Sequence, residues 1–196
     1  MAKLILLRHL KSQWNLENRW TGWTDVPLSK EGIESAPEIA KKIGDIKIDA
    51  VYTSPLQRNR ETVRIMLEKL GKENVPVTVG AVLNERNYGD LTGLNKDETI
   101  KKYGKEKVHL WRRSYNVAPP GGESLKEVYE RTTPFFQKYA ERDLREGKNV
   151  LVVASHNSLR AIVKYVQKIS DNDIINLEIP YGGLLIFNFS DGVYKA

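Results

Sequence analysis

The sequence contains no cysteine among its 196 residues. Disulfide bonds, thiolate metal ligands and a cysteine nucleophile are therefore excluded. No run approaches the roughly 20 apolar residues that a membrane-spanning helix needs. The first residues, MAKLILLRH, form an apolar strand pattern at once and lack the features of a signal peptide. We therefore expect one domain over residues 1–196, in the cytoplasm, with no membrane partner.

Motifs for nucleotides and metals are also missing. The chain has no G-x-x-x-x-G-K-[ST] loop and no G-x-G-x-x-G turn. Only three histidines are present, and none lies in an H-x-H or H-E-x-x-H spacing that would favour zinc. We expect no metal site, and retain a zinc site built on two histidines only as a minor alternative.

The net charge is +6, and its distribution is informative. Lysines dominate helical segments such as KKIGDIK and KKYGKEK, which are typical of solvated faces. Four arginines, Arg8, Arg58, Arg112 and Arg113, are expected near strand ends and loops instead. This pattern favours a compact pocket for a small anion, with no nucleic acid as partner. A basic nucleic-acid-binding domain is the alternative, and it predicts salt-dependent affinity for nucleic acid.

Apolar runs and helical periodicity alternate along the chain. Pro134 is expected to kink or break the longest helix, and Asp191-Gly192 predicts a turn into a short edge strand. The pattern predicts the α/β class: a three-layer sandwich of a mostly parallel sheet, with one antiparallel edge strand, flanked by helices. The predicted strands are 4–7, 49–53, 75–79, 150–154 and 184–189, and the predicted helices are 29–43, 55–70, 95–104, 123–145 and 158–168.

Two histidines follow predicted strands at equivalent positions. His9 follows LILLR and His156 follows VLVVAS, so both are expected in the crevice at the carboxyl ends of the strands. Arg8 beside His9 disfavours the imidazolium, and its guanidinium can grip a phosphate. This pairing suits a histidine that accepts a phosphoryl group better than a general base. His109 has no such placement, and we expect no special role for it.

Several segments carry a resemblance to a known family. The segment LLRHLKSQWN (6–15) resembles the R-H-G-[EQ]-S-x-W-N signature of the histidine phosphatase superfamily. The remaining matches, in chain order, are ENRWTGWTDVPLSKEG, YTSPLQR, LNERNYGDLTGLNKDET, WRRSYNVAPPGGESL and ASHNSLRA. A single R-H-G-like triplet would be weak, but six motifs in order over about 160 residues are specific. They resemble the cofactor-dependent phosphoglycerate mutases, whose fold matches the predicted class.

The resemblance implies a role for each matching position. His9 would carry the phosphoryl group, and Glu85 would exchange a proton with the substrate hydroxyl. The other catalytic positions, expected around the transferring phosphoryl group, are Arg8, Arg58 and His156. The positions expected to bind substrate are Asn15, Thr21, Gly22, Tyr88, Lys96, Arg112, Arg113 and Asn157.

The resemblance implies interconversion of 3-phosphoglycerate and 2-phosphoglycerate, primed by 2,3-bisphosphoglycerate without a metal. This is an isomerase reaction of glycolysis and gluconeogenesis, with a small anionic phosphorylated substrate. We expect a monomer or a small homo-oligomer. A phosphatase of the same superfamily, in which water takes the phosphoryl group from His9, is the alternative that the short chain favours. The segments NERNYGDLTGLNK and WRR weigh against it, since they would bind a second anionic group.

The chain departs from the family pattern at several places, two of which directly follow the histidines. Leu10 replaces a glycine after His9, and the segment after His156 is one residue shorter than A-H-G-N-S-L-R. If the glycine used a positive φ, Leu10 would be strained, whereas Asn157 tolerates that conformation.

Overall fold

A six-stranded sheet forms the centre of the computed structural model, which describes residues 1–196. The pairs β1–β4, β2–β4 and β2–β3 are parallel, and β5 runs antiparallel to both β1 and β6. The order across the sheet is β3-β2-β4-β1-β5-β6. The strands are β1 (Ala2–Arg8), β2 (Ala50–Thr53), β3 (Val77–Val79), β4 (Val150–Ala154), β5 (Leu184–Ser190) and β6 (Val193–Lys195).

Helices cover both faces of this sheet, so the predicted α/β sandwich is confirmed. The α-helices are α1 (Gln13–Leu16), α2 (Lys30–Glu34), α3 (Ala36–Ile43), α4 (Gln57–Leu70), α5 (Lys96–Tyr103), α6 (Lys105–Arg113), α7 (Leu125–Phe135), α8 (Arg142–Arg145) and α9 (His156–Gln167). Short 3₁₀ turns occupy Ala81–Leu83, Gly89–Leu91 and Asp173–Asn176. None of the helices combines the length and the apolar character needed to span a membrane.

Alternation along β1 builds a separate core on each face of the sheet. Leu4 and Leu6 pack in one apolar cluster with residues of α8 and α9. Ile5 and Leu7 point the other way and pack in a second cluster with α3 and α4. Because strand side chains alternate between faces, a strand buried on both sides must be apolar throughout, as LILL is.

Most predicted bounds agree with the structure to within a few residues. The strand 150–154 is reproduced, and the predicted helix 55–70 forms over Gln57–Leu70. Gly71 ends that helix with a φ of 63°, the left-handed conformation typical of a helix C-terminus. The predicted turn at Asp191-Gly192 returns the chain into β6, also as expected.

The prediction of one continuous helix over residues 29–43 was wrong. Ser29 caps α2 by accepting the N–H of Gly32 at 3.0 Å, as predicted, but α2 ends at Glu34. Pro37 lies in the first turn of α3, where a residue without an N–H is tolerated. The chain therefore forms two helices in place of one.

The longest predicted helix changes its winding near Pro134. Helix α7 contains Pro134 and passes into a π-helical turn, Phe136–Glu141, before α8. Such turns accompany a missing backbone hydrogen bond in a helix. Helix α6 was not predicted, because only Val108 and Trp111 of its nine residues are buried and its apolar signal is weak.

The topology brings the two candidate histidines to one edge of the sheet. Strands β1 and β4 are neighbours, with Arg8 opposite Ala154. The backbone N–H of His9 then donates to the carbonyl of Ala154 at 3.1 Å. His156 begins α9, two residues after β4 ends, so that helix starts two residues earlier than predicted.

Candidate active site

His9 is buried at the end of β1 with a defined tautomer. Its Nδ1 lies 2.7 Å from the carbonyl oxygen of Leu10. Because a carbonyl can only accept, Nδ1 carries the proton and Nε2 keeps its lone pair. Burial, and then the positive charges of Arg58 and Arg8, lower the pKa of His9 well below its usual value. The ring is therefore neutral near pH 7, with one nitrogen available as a nucleophile.

Two buried arginines flank His9. The Nη1 group of Arg8 donates to the carbonyl of Ile179 at 2.5 Å, and its guanidinium lies 3.8 Å from the ring centre of Tyr181. Arg58 donates to the carbonyls of Gly22 at 2.7 Å and Thr24 at 3.0 Å. Both Nε groups are buried without a hydrogen-bond partner. An anion in the neighbouring cavity would supply the missing acceptors.

These side chains line a cavity of about 290 Å³. Eleven of the thirteen predicted site residues lie in its wall; Arg113 and Asn157 do not. The predicted residues in the wall are Arg8, His9, Asn15, Thr21, Gly22, Arg58, Glu85, Tyr88, Lys96, Arg112 and His156, and the others are Arg19, Trp20, Glu178, Pro180 and Tyr181.

Glu85 is held in the wall through one of its two carboxylate oxygens. Its Oε1 accepts the backbone N–H of Arg86 at 2.7 Å. Asn157 adds two donors to the same oxygen, its backbone N–H at 3.1 Å and its Nδ2 at 3.0 Å. The Nδ2 group of Asn157 also donates to the hydroxyl of Tyr88 at 2.9 Å. Oε2 has no protein donor and remains available to a ligand. Asn157 therefore lies behind Glu85 and contacts the wall from outside.

His156 lies at the first position of α9, opposite the segment 177–183. Its Nε2 faces the backbone N–H of Ile179 at a long 3.5 Å and a carboxylate oxygen of Glu178 at 3.4 Å. Burial lowers the pKa of His156 well below its usual value, and Arg8 is the largest of several positive charges that lower it further. The neutral ring accepts from Ile179, whereas the protonated ring would donate to Glu178.

Two cations lie in the wall farther along the chain. Lys96 begins α5, and burial together with Arg112 and Arg8 lowers its pKa to about 8.

The other predicted arginines lie in the terminal turns of helices. Arg112 and Arg113 belong to the last turn of α6, and Arg58 lies in the first turn of α4. These arginines therefore lie near strand ends and loops, as predicted, although Arg58, Arg112 and Arg113 belong to the terminal turns of helices. Arg113 pairs with Glu178.

Local backbone geometry explains the two departures from the family pattern. Neither Leu10 nor Asn157 has a positive φ, so the expected strain at Leu10 does not arise. Leu10 is fully buried in the apolar cluster beside α3 and α4. Gly22 does use a φ of +56°, and a Cβ at this position would lie only 3.4 Å from the carbonyl oxygen of Arg86 and from the backbone nitrogen of Tyr88. This conformation lets its carbonyl reach Arg58.

Sequence reasoning missed the segment 177–183, which contributes Glu178 and Tyr181 to the wall. The signal that could have revealed this segment is the pairing of β5 with β1. Leu184, the first residue of β5, pairs with Leu7 in antiparallel register, so the segment that enters β5 must pass the end of β1 and His9. No three histidine, aspartate or glutamate side chains come together in a group that could hold a metal ion.

The fold and site together define the class of the protein. A family model described as the histidine phosphatase superfamily (branch 1) matches residues 4–196, and the chain belongs to that superfamily. The solved structure of Bacillus stearothermophilus YhfR superimposes with a TM-score of 0.85 at 26% identity, covering 100% of this chain and 95% of that one.

Curated relatives place the chain more narrowly within the superfamily. A 2,3-bisphosphoglycerate-dependent phosphoglycerate mutase of Parvibaculum lavamentivorans is 44% identical over 190 residues, covering 96% of this chain and 90% of the relative. Mutase 2 of that name from Lactiplantibacillus plantarum is 41% identical over 218 residues, covering 97% and 95%. The chain belongs to the family of these mutases. Since the second alignment is longer than this chain, that relative carries residues that this chain lacks.

Proposed function

We propose that this chain interconverts 3-phosphoglycerate and 2-phosphoglycerate through a phosphohistidine at His9. The observation that carries the proposal is the neutral, buried imidazole with a free Nε2 between two arginines that have unpartnered Nε groups. The mutase relatives at 41–44% identity support this activity over a phosphatase. We place the enzyme in the cytoplasm, as a monomer or a small homo-oligomer.

In the transfer to the enzyme, Nε2 of His9 attacks one phosphorus atom of the bisphosphate in line with its leaving ester oxygen, which leaves a phosphoglycerate. In the return transfer, a free hydroxyl of a phosphoglycerate attacks the phosphohistidine and takes the group back. Negative charge spreads over the three equatorial oxygens, and Arg8 and Arg58 stabilise it through charge-assisted hydrogen bonds. Both guanidiniums are already fixed by backbone carbonyls, so little reorganisation accompanies the transfer. In the neutral tautomer with the proton on Nε2, in place of the one that accepts from Ile179, His156 donates a hydrogen bond to the phosphoryl group.

Glu85 moves the proton that accompanies each transfer. The oxygen that leaves phosphorus takes a proton from Glu85, and the hydroxyl that is next phosphorylated returns one to it. The three donors on Oε1 fix the orientation of the carboxylate, so Oε2 is the atom we assign to this exchange.

The far end of the ligand is assigned to Lys96 and Arg112. Both line the cavity, and together with Arg8 and Arg58 they provide cations for two anionic groups of one small molecule. The residues present therefore fit 2,3-bisphosphoglycerate. When bound, this cofactor supplies the phosphoryl group that primes His9. We propose no metal, because the arginines already supply the charge that the transferring group requires.

A coupled assay of 3-phosphoglycerate turnover, with and without added bisphosphoglycerate, tests the proposal. We expect turnover to depend on bisphosphoglycerate, to survive EDTA and to be abolished in His9→Ala. The wild type should take up one phosphoryl group that is labile in acid and stable in base. His109→Ala is the matched control, because His109 is exposed on α6. Hydrolysis of 3-phosphoglycerate without formation of 2-phosphoglycerate would favour the phosphatase alternative.

A further inference from the structure

Glu178 brings a carboxylate into the cluster of cations that the proposed function assigns to the ligand. One of its oxygens pairs with Nη1 of Arg113. The other lies 3.4 Å from Nε2 of His156 and 4.0 Å from Nη1 of Arg8. Glu178 therefore occupies space beside groups that would bind the transferring phosphoryl group.

The two acidic residues of the wall are held in different ways. Glu85 is 5% exposed and is fixed by three hydrogen bonds from neighbouring donors. The side chain of Glu178 is 49% exposed, and its contacts are with the side chains of Arg8, Arg113 and His156. Ion pairs with an exposed partner are screened by water and are individually weak. Glu178 can therefore leave its position without disrupting the fold.

We propose that Glu178 is an intramolecular competitor for the anionic ligand. In the free enzyme its carboxylate neutralises Arg113 and lies beside Arg8 and His156. A phosphate that binds to Arg8 repels this carboxylate and takes its place. Departure of Glu178 then frees Arg113 for a second anionic group of the ligand. The proposal rests on the proposed anion-binding role of the cavity, and it explains why Arg113 does not line the cavity.

The affinity for inorganic phosphate tests this directly. Glu178→Gln keeps the shape of the side chain and removes the competing charge, so we expect phosphate to bind about two- to tenfold more tightly. The expected change is small because the ion pairs that are lost are partly exposed. Calorimetry at constant ionic strength gives the dissociation constant without any turnover. The KM for 3-phosphoglycerate should fall in the same direction.

Glu146→Gln provides a matched control. Glu146 has the same side-chain exposure of 49% and pairs with Arg142 and Lys148, neither of which lines the cavity. We expect its phosphate affinity to equal that of the wild type. Glu178→Ala should tighten phosphate binding like the glutamine variant.

Unchanged phosphate binding in both Glu178 variants would overturn the proposal, because it would show that the carboxylate does not compete with the ligand. Weaker binding would overturn it as well and would mean that Glu178 orients the arginines for the ligand. Phosphate binding does not require the mutase reaction. If the mutase function itself failed, the wild type would show no turnover, while the comparison of phosphate affinities would still be valid.

Discussion

Both N–H donors of Asn157 point to the same oxygen of Glu85. The backbone N–H and the Nδ2 group reach Oε1 at 3.1 and 3.0 Å, and the N–H of Arg86 completes the set. Asn157 directly follows His156 in α9. The proposed proton carrier is thus held by the residue adjacent to the second histidine, although 72 residues separate Glu85 from Asn157 in sequence.

Glu85→Gln should retain 3-phosphoglycerate binding but lose at least about a hundredfold in mutase rate. The amide keeps the shape of the side chain but cannot titrate, and general acid–base help is worth about 10²- to 10⁴-fold. Phosphorylation of His9 by bisphosphoglycerate should slow as well. Steady-state rates and calorimetric binding measure the two effects. Near-normal turnover would mean that another group carries the proton.

Glu141→Gln is the control for that variant. Glu141 is 5% exposed, like Glu85, but it bonds to Arg145 and Tyr165, and none of these three residues lines the cavity. We expect the substitution to lower the free energy of unfolding while leaving the turnover of the folded enzyme unchanged.

Asn157→Ala should lower kcat about two- to tenfold with little change in KM. The variant keeps the backbone N–H but removes the Nδ2 bonds to Glu85 and Tyr88 and the Oδ1 bond from Arg160. The lost bond to Glu85 contributes about 0.5–1.5 kcal/mol. The loss should appear in kcat, because Asn157 holds Glu85 and lies outside the cavity wall. If KM rose and kcat stayed constant, Asn157 would instead act on substrate binding, through Tyr88 or by direct contact.

The lowered pKa of Lys96 leads us to expect a loss of substrate affinity in alkaline solution. Its pKa is lowered to about 8, and a lysine is charged below its pKa, so the ammonium is lost as the pH rises through about 8. The KM for 3-phosphoglycerate should rise by about tenfold between about pH 7 and pH 9.5, as one charge-assisted hydrogen bond is removed. The substrate phosphate, with a second pKa of about 6, is already ionised over this range.

Two variants distinguish this effect from general alkaline inactivation. Lys96→Met should show the high KM already at neutral pH and no further rise in alkaline solution. Lys96→Arg, which stays charged at all of these pH values, should lose the rise as well while keeping a lower KM. An unchanged pH profile in both variants would show that Lys96 does not bind the substrate.

Arg112→Ala should reduce mutase kcat/KM more than hydrolysis of a small monophosphate. Charge-assisted hydrogen bonds to the distal anion contribute about 1.5 to 3 kcal/mol, so the mutase loss should be roughly 10- to 150-fold. Arg113→Ala should act in the same direction but less strongly, because Arg113 must first separate from Glu178. Equal losses on both substrates would show that these arginines serve folding or grip the reacting phosphate.

Local patterns predicted the strands, and through them the positions of His9 and His156. Short apolar runs and turn residues depend on neighbours in sequence, so β1 and β4 could be predicted from the sequence alone. The pairing of Arg113 with Glu178 could not, since 65 residues separate them and Arg113 lies on an unpredicted helix. Residue type predicts that an arginine binds an anion, but tertiary packing decides whether that anion is a ligand or a side chain of the protein.

The pairing of β1 with β4 also constrains when an active site can form. His9 is positioned by its hydrogen bond to Ala154, so nearly the whole chain between these two residues must be available before the two histidines meet. The pairing of two strands that lie so far apart in sequence is slow compared with the formation of local helices. During synthesis, the N-terminal strand must wait for β4 to leave the ribosome. Shorter nascent chains should contain helices but have no site at which a phosphate can bind.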